Sequence, residues 1–179
     1  MLQDVPFIEA YFKGLKQKPT AILLRTSHTP STEGSAMGIA NYWHWSSRVC
    51  DSTNYVVDEA STYRCVPDNY AAMHNRLDDI QGVISINLCV PPLSEISYWD
   101  DTMHARVLDR AAELVAALCV EHKIQPRVLT WERRSKWAKW KTRRRGGVIF
   151  ALDGAFPGPE FLRNVHWKIE DSRATSKVS

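Results

Sequence analysis

The stretch Gly82-Val83-Ile84-Ser85-Ile86-Asn87-Leu88-Cys89-Val90 decides the fold. It is rich in β-branched and apolar residues, starts at a glycine and is stopped by Pro91-Pro92, so it reads as a buried strand. A long amphipathic helix follows. Asp100 or Asp101 can cap it, and Met103, Val107, Ala111, Leu114, Leu118 and Cys119 fall on one stripe. Arg106, Asp109, Arg110, Glu113 and Glu121 occupy the opposite face, and the helix ends near Lys123, ahead of Pro126.

Working outward, the same alternation of strands and helices recurs. Upstream, Thr53–Val57 and Thr62–Val66 are β-rich runs joined through Asp58 to Ser61, which predicts a hairpin without the glycine that usually marks one. Before them, Gly34–Trp45 has helical spacing, and Ala21–Arg25 is a strand closed by the Ser27-His28-Thr29-Pro30 loop. Downstream, Gly146–Leu152 makes a last strand, followed by a Gly/Pro loop and a short helix around Phe161 to Trp167. The expectation is an α/β single domain, residues 1–170, with a central mixed β-sheet flanked by helices, and a polar flexible tail over 171–179.

Composition excludes several classes. With 179 residues, 44% of them hydrophobic, the chain can bury a core without metal or disulfide staples. It lacks the composition of a disordered chain, and no run of about 18 apolar residues could span a bilayer. Met1–Gly14 mixes acids with aromatics and has no basic start before an apolar block, so the expectation is a soluble chain made in the cytosol. Cys50, Cys65, Cys89 and Cys119 show no Cys-x-x-Cys spacing and read as buried free thiols.

Net charge is only +3, yet eight Lys or Arg and no acid lie between Arg133 and Arg145. Trp137 and Trp140 interleave with them, and Trp131 precedes them. Such a run, ending in Arg143, Arg144 and Arg145, suits an anionic partner: a wall polymer, a phospholipid surface or nucleic acid. A solvated face that only raises solubility is the other reading of the same residues.

The order of motifs resembles the type-2 N-acetylmuramoyl-L-alanine amidase family, which shares its fold with peptidoglycan recognition proteins and many phage endolysins. Five stretches carry the likeness: the strand ending in Ser27-His28-Thr29; Asp51–Asp58, similar to a Ser-x-His-Tyr-x-Val strand; Tyr63–Asp68 with Ala71-Ala72-Met73-His74; Ile84–Cys89 with the helix Ala111–Cys119 and Lys123–Pro126; and Asp153–Pro157 with Phe161-Leu162. The resemblance implies a zinc hydrolase of peptidoglycan. In such a site the metal keeps an open position for a water nucleophile, and a carboxylate handles the proton.

Carried over residue by residue, the resemblance implies zinc ligands at His28 and Asp153, catalytic positions at Asn87 and His74, and substrate contacts at Asn54 and Tyr55. The sequence also departs from the pattern. Asn87 stands where the family carries a catalytic Glu, Asn54 replaces a usual histidine, and Ala151 stands where a second histidine ligand is expected. Asp153 also reads as a turn residue before Gly154, and His28 as a loop histidine. Three functions are therefore open at this level: a phage-lysin-like amidase that meets the wall after host lysis, a catalytically degenerate member of the fold that binds a ligand, and a nucleic-acid-binding module using residues 131–145.

Overall fold

The computed structural model describes residues 2–27, 34–48, 50–73, 82–90, 102–128, 146–151 and 156–175. Five strands form one sheet: β1 (Ala21–Thr26), β2 (Tyr55–Val57), β3 (Thr62–Arg64), β4 (Val83–Leu88) and β5 (Val148–Ala151). Their spatial order is β3-β2-β4-β1-β5. All neighbours are parallel except β2 and β3, which pair antiparallel as the predicted hairpin. The sheet is therefore mixed, with the Gly82–Val90 strand at its centre.

Alternation along the strands sorts the two faces. Ile22, Leu24, Tyr55, Val57, Ile84, Ile86, Leu88 and Val148 form one core with α2 (Thr102–His122) and α3 (Gly158–Thr175). The predicted stripe is the one buried, with Val107, Ala111, Leu114, Leu118 and Cys119 all in this core. Lys168 of α3 ties the two helices together by reaching Asp109 at 2.9 Å and Glu113 at 3.3 Å on α2. On the other face, α1 (Ser35–Trp45) lays Ala36, Ala40 and Trp43 against Val56, Cys65, Val66 and Cys89.

The hairpin turns without glycine because Asp58 does the work. Its Oδ1 accepts hydrogen bonds from the backbone N–H groups of Ala60 and Ser61, at 2.9 and 2.6 Å. Its Oδ2 accepts the Ala36 N–H at 2.9 Å, so one buried carboxylate shapes the turn and satisfies an orphan donor at the start of α1. Gln17 fastens the other end of the sheet. Its Nε2 donates to the carbonyls of Asp68, Tyr70 and Val83, and its Oε1 accepts from the N–H groups of Gly82 and Val83. At the start of β5 a Cβ on Gly146 would overlap the Thr20 carbonyl, so only glycine lets the chain pass there.

Two expectations change. The last helix runs on to Thr175 instead of ending near Trp167, because Phe161, Leu162, Val165 and Ile169 extend one apolar stripe over more turns. Five residues of the expected tail, Asp171 to Thr175, are thus helical. Of the four thiols only Cys65, Cys89 and Cys119 are buried; Cys50 is exposed. The proposed caps Asp100 and Asp101 lie outside the described residues.

Candidate functional site

β1, β2, β4 and β5 run in the same direction, so their C-terminal ends meet at one edge of the sheet, where α/β folds place their ligands. The register there is explicit. Asn87 of β4 pairs with Arg25 of β1 on one side and with Val56 of β2 on the other, and Arg25 pairs in turn with Ala151 of β5. Neighbours in such a row stand about 4.8 Å apart. Leu24 and Ile86 point into the α2–α3 core, so Arg25 and Asn87 point to the face that carries α1.

The row has an unusual electrostatic make-up. Asn87 is only 6% exposed, and its carboxamide oxygen has no hydrogen-bond partner among the described residues. Burial pulls the Arg25 guanidinium below its ordinary pKa, and the negative charge of Asp51 opposes that pull. Arginine remains a cation under any working condition.

Asn54 lies on the same face as Asn87, one pleat nearer the strand starts, where it meets Ser85. Its Nδ2 donates to the carbonyls of Val66, Pro67 and Tyr70 at 3.1 to 3.3 Å. Its Oδ1 accepts from the Ser85 N–H and Oγ at 3.0 and 3.3 Å. The residue is fully buried, so its amide is spent on holding β2, β4 and the loop after β3 together, not on a substrate.

Tyr55, the other expected substrate contact, points the opposite way. Its ring sits in the α2–α3 core and its hydroxyl donates to Asp68 Oδ1 at 2.8 Å. Burial, with the Asp68 carboxylate beside it, drives its pKa well above the ordinary tyrosine value. The period-two alternation of a strand puts Tyr55 and Val56 on different faces, so Tyr55 is framework and not part of the strand-end row.

His28, His74, Asp153 and the basic residues Arg143, Arg144 and Arg145 lie outside the described residues. The described positions of the strand-end row are Arg25, Asn87 and Ala151. Of these, Arg25 and Ala151 offer zinc no ligand atom, and the Asn87 carboxamide is no general base. These three residues by themselves do not make a zinc site; His28 and Asp153 lie outside the described residues. Arg25 is the residue that sequence reading passed over, and only the strand register draws attention to it.

A second group does have ligand chemistry. Asp68, Glu121 and His122 bring their ligand atoms within 4.8 Å of one another, and His122 Nε2 is 2.8 Å from Asp68 Oδ2. Gln17 links the Asp68 backbone to Val83, so this group borders the start of β4, at the far end of the strand from Asn87. Among the described residues, grooves of about 340 and 370 Å³ open beside α2, and neither is lined by Asn87 or Arg25.

The sequence matches the family described as N-acetylmuramoyl-L-alanine amidase over residues 16–144. No curated protein matches it significantly in sequence. Among solved structures, the catalytic domain of XlyA superimposes with a TM-score of 0.63 at 17% identity, covering 90% of this chain and 99% of that one. The Staphylococcus aureus hydrolase AmiA, solved with its ligand, matches with a TM-score of 0.61 at 12% identity, covering 96% and 85%. A mutant endolysin from Bacillus subtilis matches with a TM-score of 0.54 at 21% identity, over 68% of this chain and 79% of that one. These structures share the fold, and the sequence match spans the strands and helix that build the row of Arg25 and Asn87. The chain belongs to the N-acetylmuramoyl-L-alanine amidase family.

Proposed function

We propose that this chain engages peptidoglycan at the amide joining N-acetylmuramic acid to L-alanine, using the strand-end row of β4 and β1. The observation that carries the reading is the family match over residues 16–144, which takes in both Arg25 and Asn87. Hydrolysis of that amide is the activity family membership supports. Recognition without turnover has its own support in this chain. Asn87 cannot accept a proton from water at neutral pH, and a fixed cation stands beside it.

One experiment separates the two. The full chain is incubated with purified, insoluble peptidoglycan; pelleted protein and newly exposed L-alanine amino groups are both measured. Hydrolysis predicts amino groups accumulating with time and falling turbidity. Recognition predicts co-sedimentation with no new amino groups. A chain that neither sediments nor releases amines contradicts the proposal in both forms.

A further inference from the structure

The peptidoglycan reading gives no role to Asp68, Glu121 and His122, which border the start of β4, at the far end from Asn87. Their ligand atoms lie within 4.8 Å of one another, and the fold itself sets two of them. The Asp68 side chain is only 11% exposed. Its Oδ1 accepts the hydroxyl of the fully buried Tyr55 at 2.8 Å, and its backbone carbonyl accepts from Gln17 Nε2 at 3.1 Å. That leaves Oδ2 facing His122 Nε2, 2.8 Å away. Donors of this outer kind orient the ligating carboxylates of metal sites. His122 is the last residue of α2. The chain turns there through Lys123 at φ 56°, and the Ile124 N–H closes on the Cys119 carbonyl at 3.0 Å. The negative end of a helix dipole, which favours a cation, thus stands beside the imidazole.

A tetrahedral zinc with nitrogen and oxygen ligands about 2.0–2.2 Å away needs neighbouring ligand atoms about 3.3 Å apart. The Asp68–His122 pair therefore has to open by about half an ångström, with Nε2 giving up any hydrogen it carries. Glu121, adjacent in the chain and exposed, is free to swing in as third ligand. Calcium would seek six or more oxygens, which the group does not offer. We propose that Asp68, Glu121 and His122 form a divalent-cation site suited to zinc, which clamps the loop after β3 to the end of α2. One imidazole nitrogen and two carboxylate oxygens supply the protein ligands, and water takes the fourth position. The site acts on stability and stands independently of the peptidoglycan reading.

The test uses the full chain, stripped with EDTA, exchanged into metal-free buffer and titrated with zinc chloride. The readouts are the histidine ring nitrogen resonances and the thermal unfolding midpoint. His122 Nε2 is expected to shift and saturate, and the midpoint to rise with zinc. Glu121→Gln is expected to weaken zinc at His122 at least about tenfold, since a lost ligand costs no less than a lost outer-shell partner. Its metal-free midpoint should match that of the unaltered chain, because Glu121 is exposed. His122→Gln keeps a donor for Asp68 Oδ2 but removes the ligand. Its metal-free midpoint should hold, and its zinc-dependent rise should shrink.

A His122 Nε2 resonance unmoved at saturating zinc would overturn the proposal, including the case in which another imidazole moves instead. So would undiminished zinc affinity at His122 in Glu121→Gln, or a zinc-dependent rise as large in His122→Gln as in the unaltered chain. No peptidoglycan is present in the experiment, so its failure leaves the function proposed above standing.

Discussion

Arg25 stands in register with Asn87 across the β1–β4 ladder and with Ala151 across the β1–β5 ladder. That relationship puts a permanent positive charge beside Asn87 at the C-terminal edge of the sheet. The register thus brings a cation, a buried carboxamide and an alanine into one row at that edge.

The framework itself depends on Asn54. Replacing it with Ala strips partners from the Ser85 N–H and from three carbonyls, all at or near a fully buried position. The expected cost is about 3 kcal/mol in urea unfolding. A loss under about 1 kcal/mol, with altered ligand affinity in the folded protein, would return Asn54 to the list of substrate contacts.

Asp58→Ala should destabilise by about 2 kcal/mol, because it removes the turn acceptor and the partner of the Ala36 N–H together. Asp58→Asn preserves the acceptor at Oδ1 and should recover part of the loss. Equal unfolding midpoints for the Ala variant and the unaltered protein would show that the hairpin and α1 hold without the shared carboxylate.

The thiols give a pH prediction. Burial pushes Cys65, Cys89 and Cys119 up to about 12, from an ordinary value of 9.0. Unfolded, these groups release protons near pH 9 while the folded chain still holds them. Their contribution to stability is therefore full below that pH and is lost as pH rises toward about 12. Urea midpoints should fall on going from neutral to alkaline solution. In the native state at about pH 8 a thiol reagent should label Cys50 quickly and the other three only on unfolding. Rapid labelling of a second thiol would contradict the packing described.

Much of this architecture is legible in the sequence, and the exceptions have physical causes. The Gly82–Val90 strand and the Val107–Cys119 stripe announce themselves because apolar periodicity is local. The extension of α3 past Trp167 escapes notice because Ile169 sits alone among polar residues, and its partner surface on α2 comes from far along the chain. Asp58 and Gln17 reach partners that are distant in sequence, which no spacing rule reveals. At the site, Asn87 draws attention as a polar residue in an apolar strand, whereas Arg25 at a strand end looks like an ordinary surface cation. Tyr55 and Asn54 sit side by side in a matching motif, and only the pleat shows that they face opposite ways.

The central claim is that the strand-end row of β4 and β1 engages peptidoglycan. It is tested most directly by following the side-chain amide resonances of the asparagines during titration with N-acetylmuramoyl-L-alanine. The account predicts that the Asn87 amide signals move and saturate, while the Asn54 amide, already held by internal partners, stays in place. Saturating shifts near Asp68 and His122, with the Asn87 signals unmoved, would contradict it.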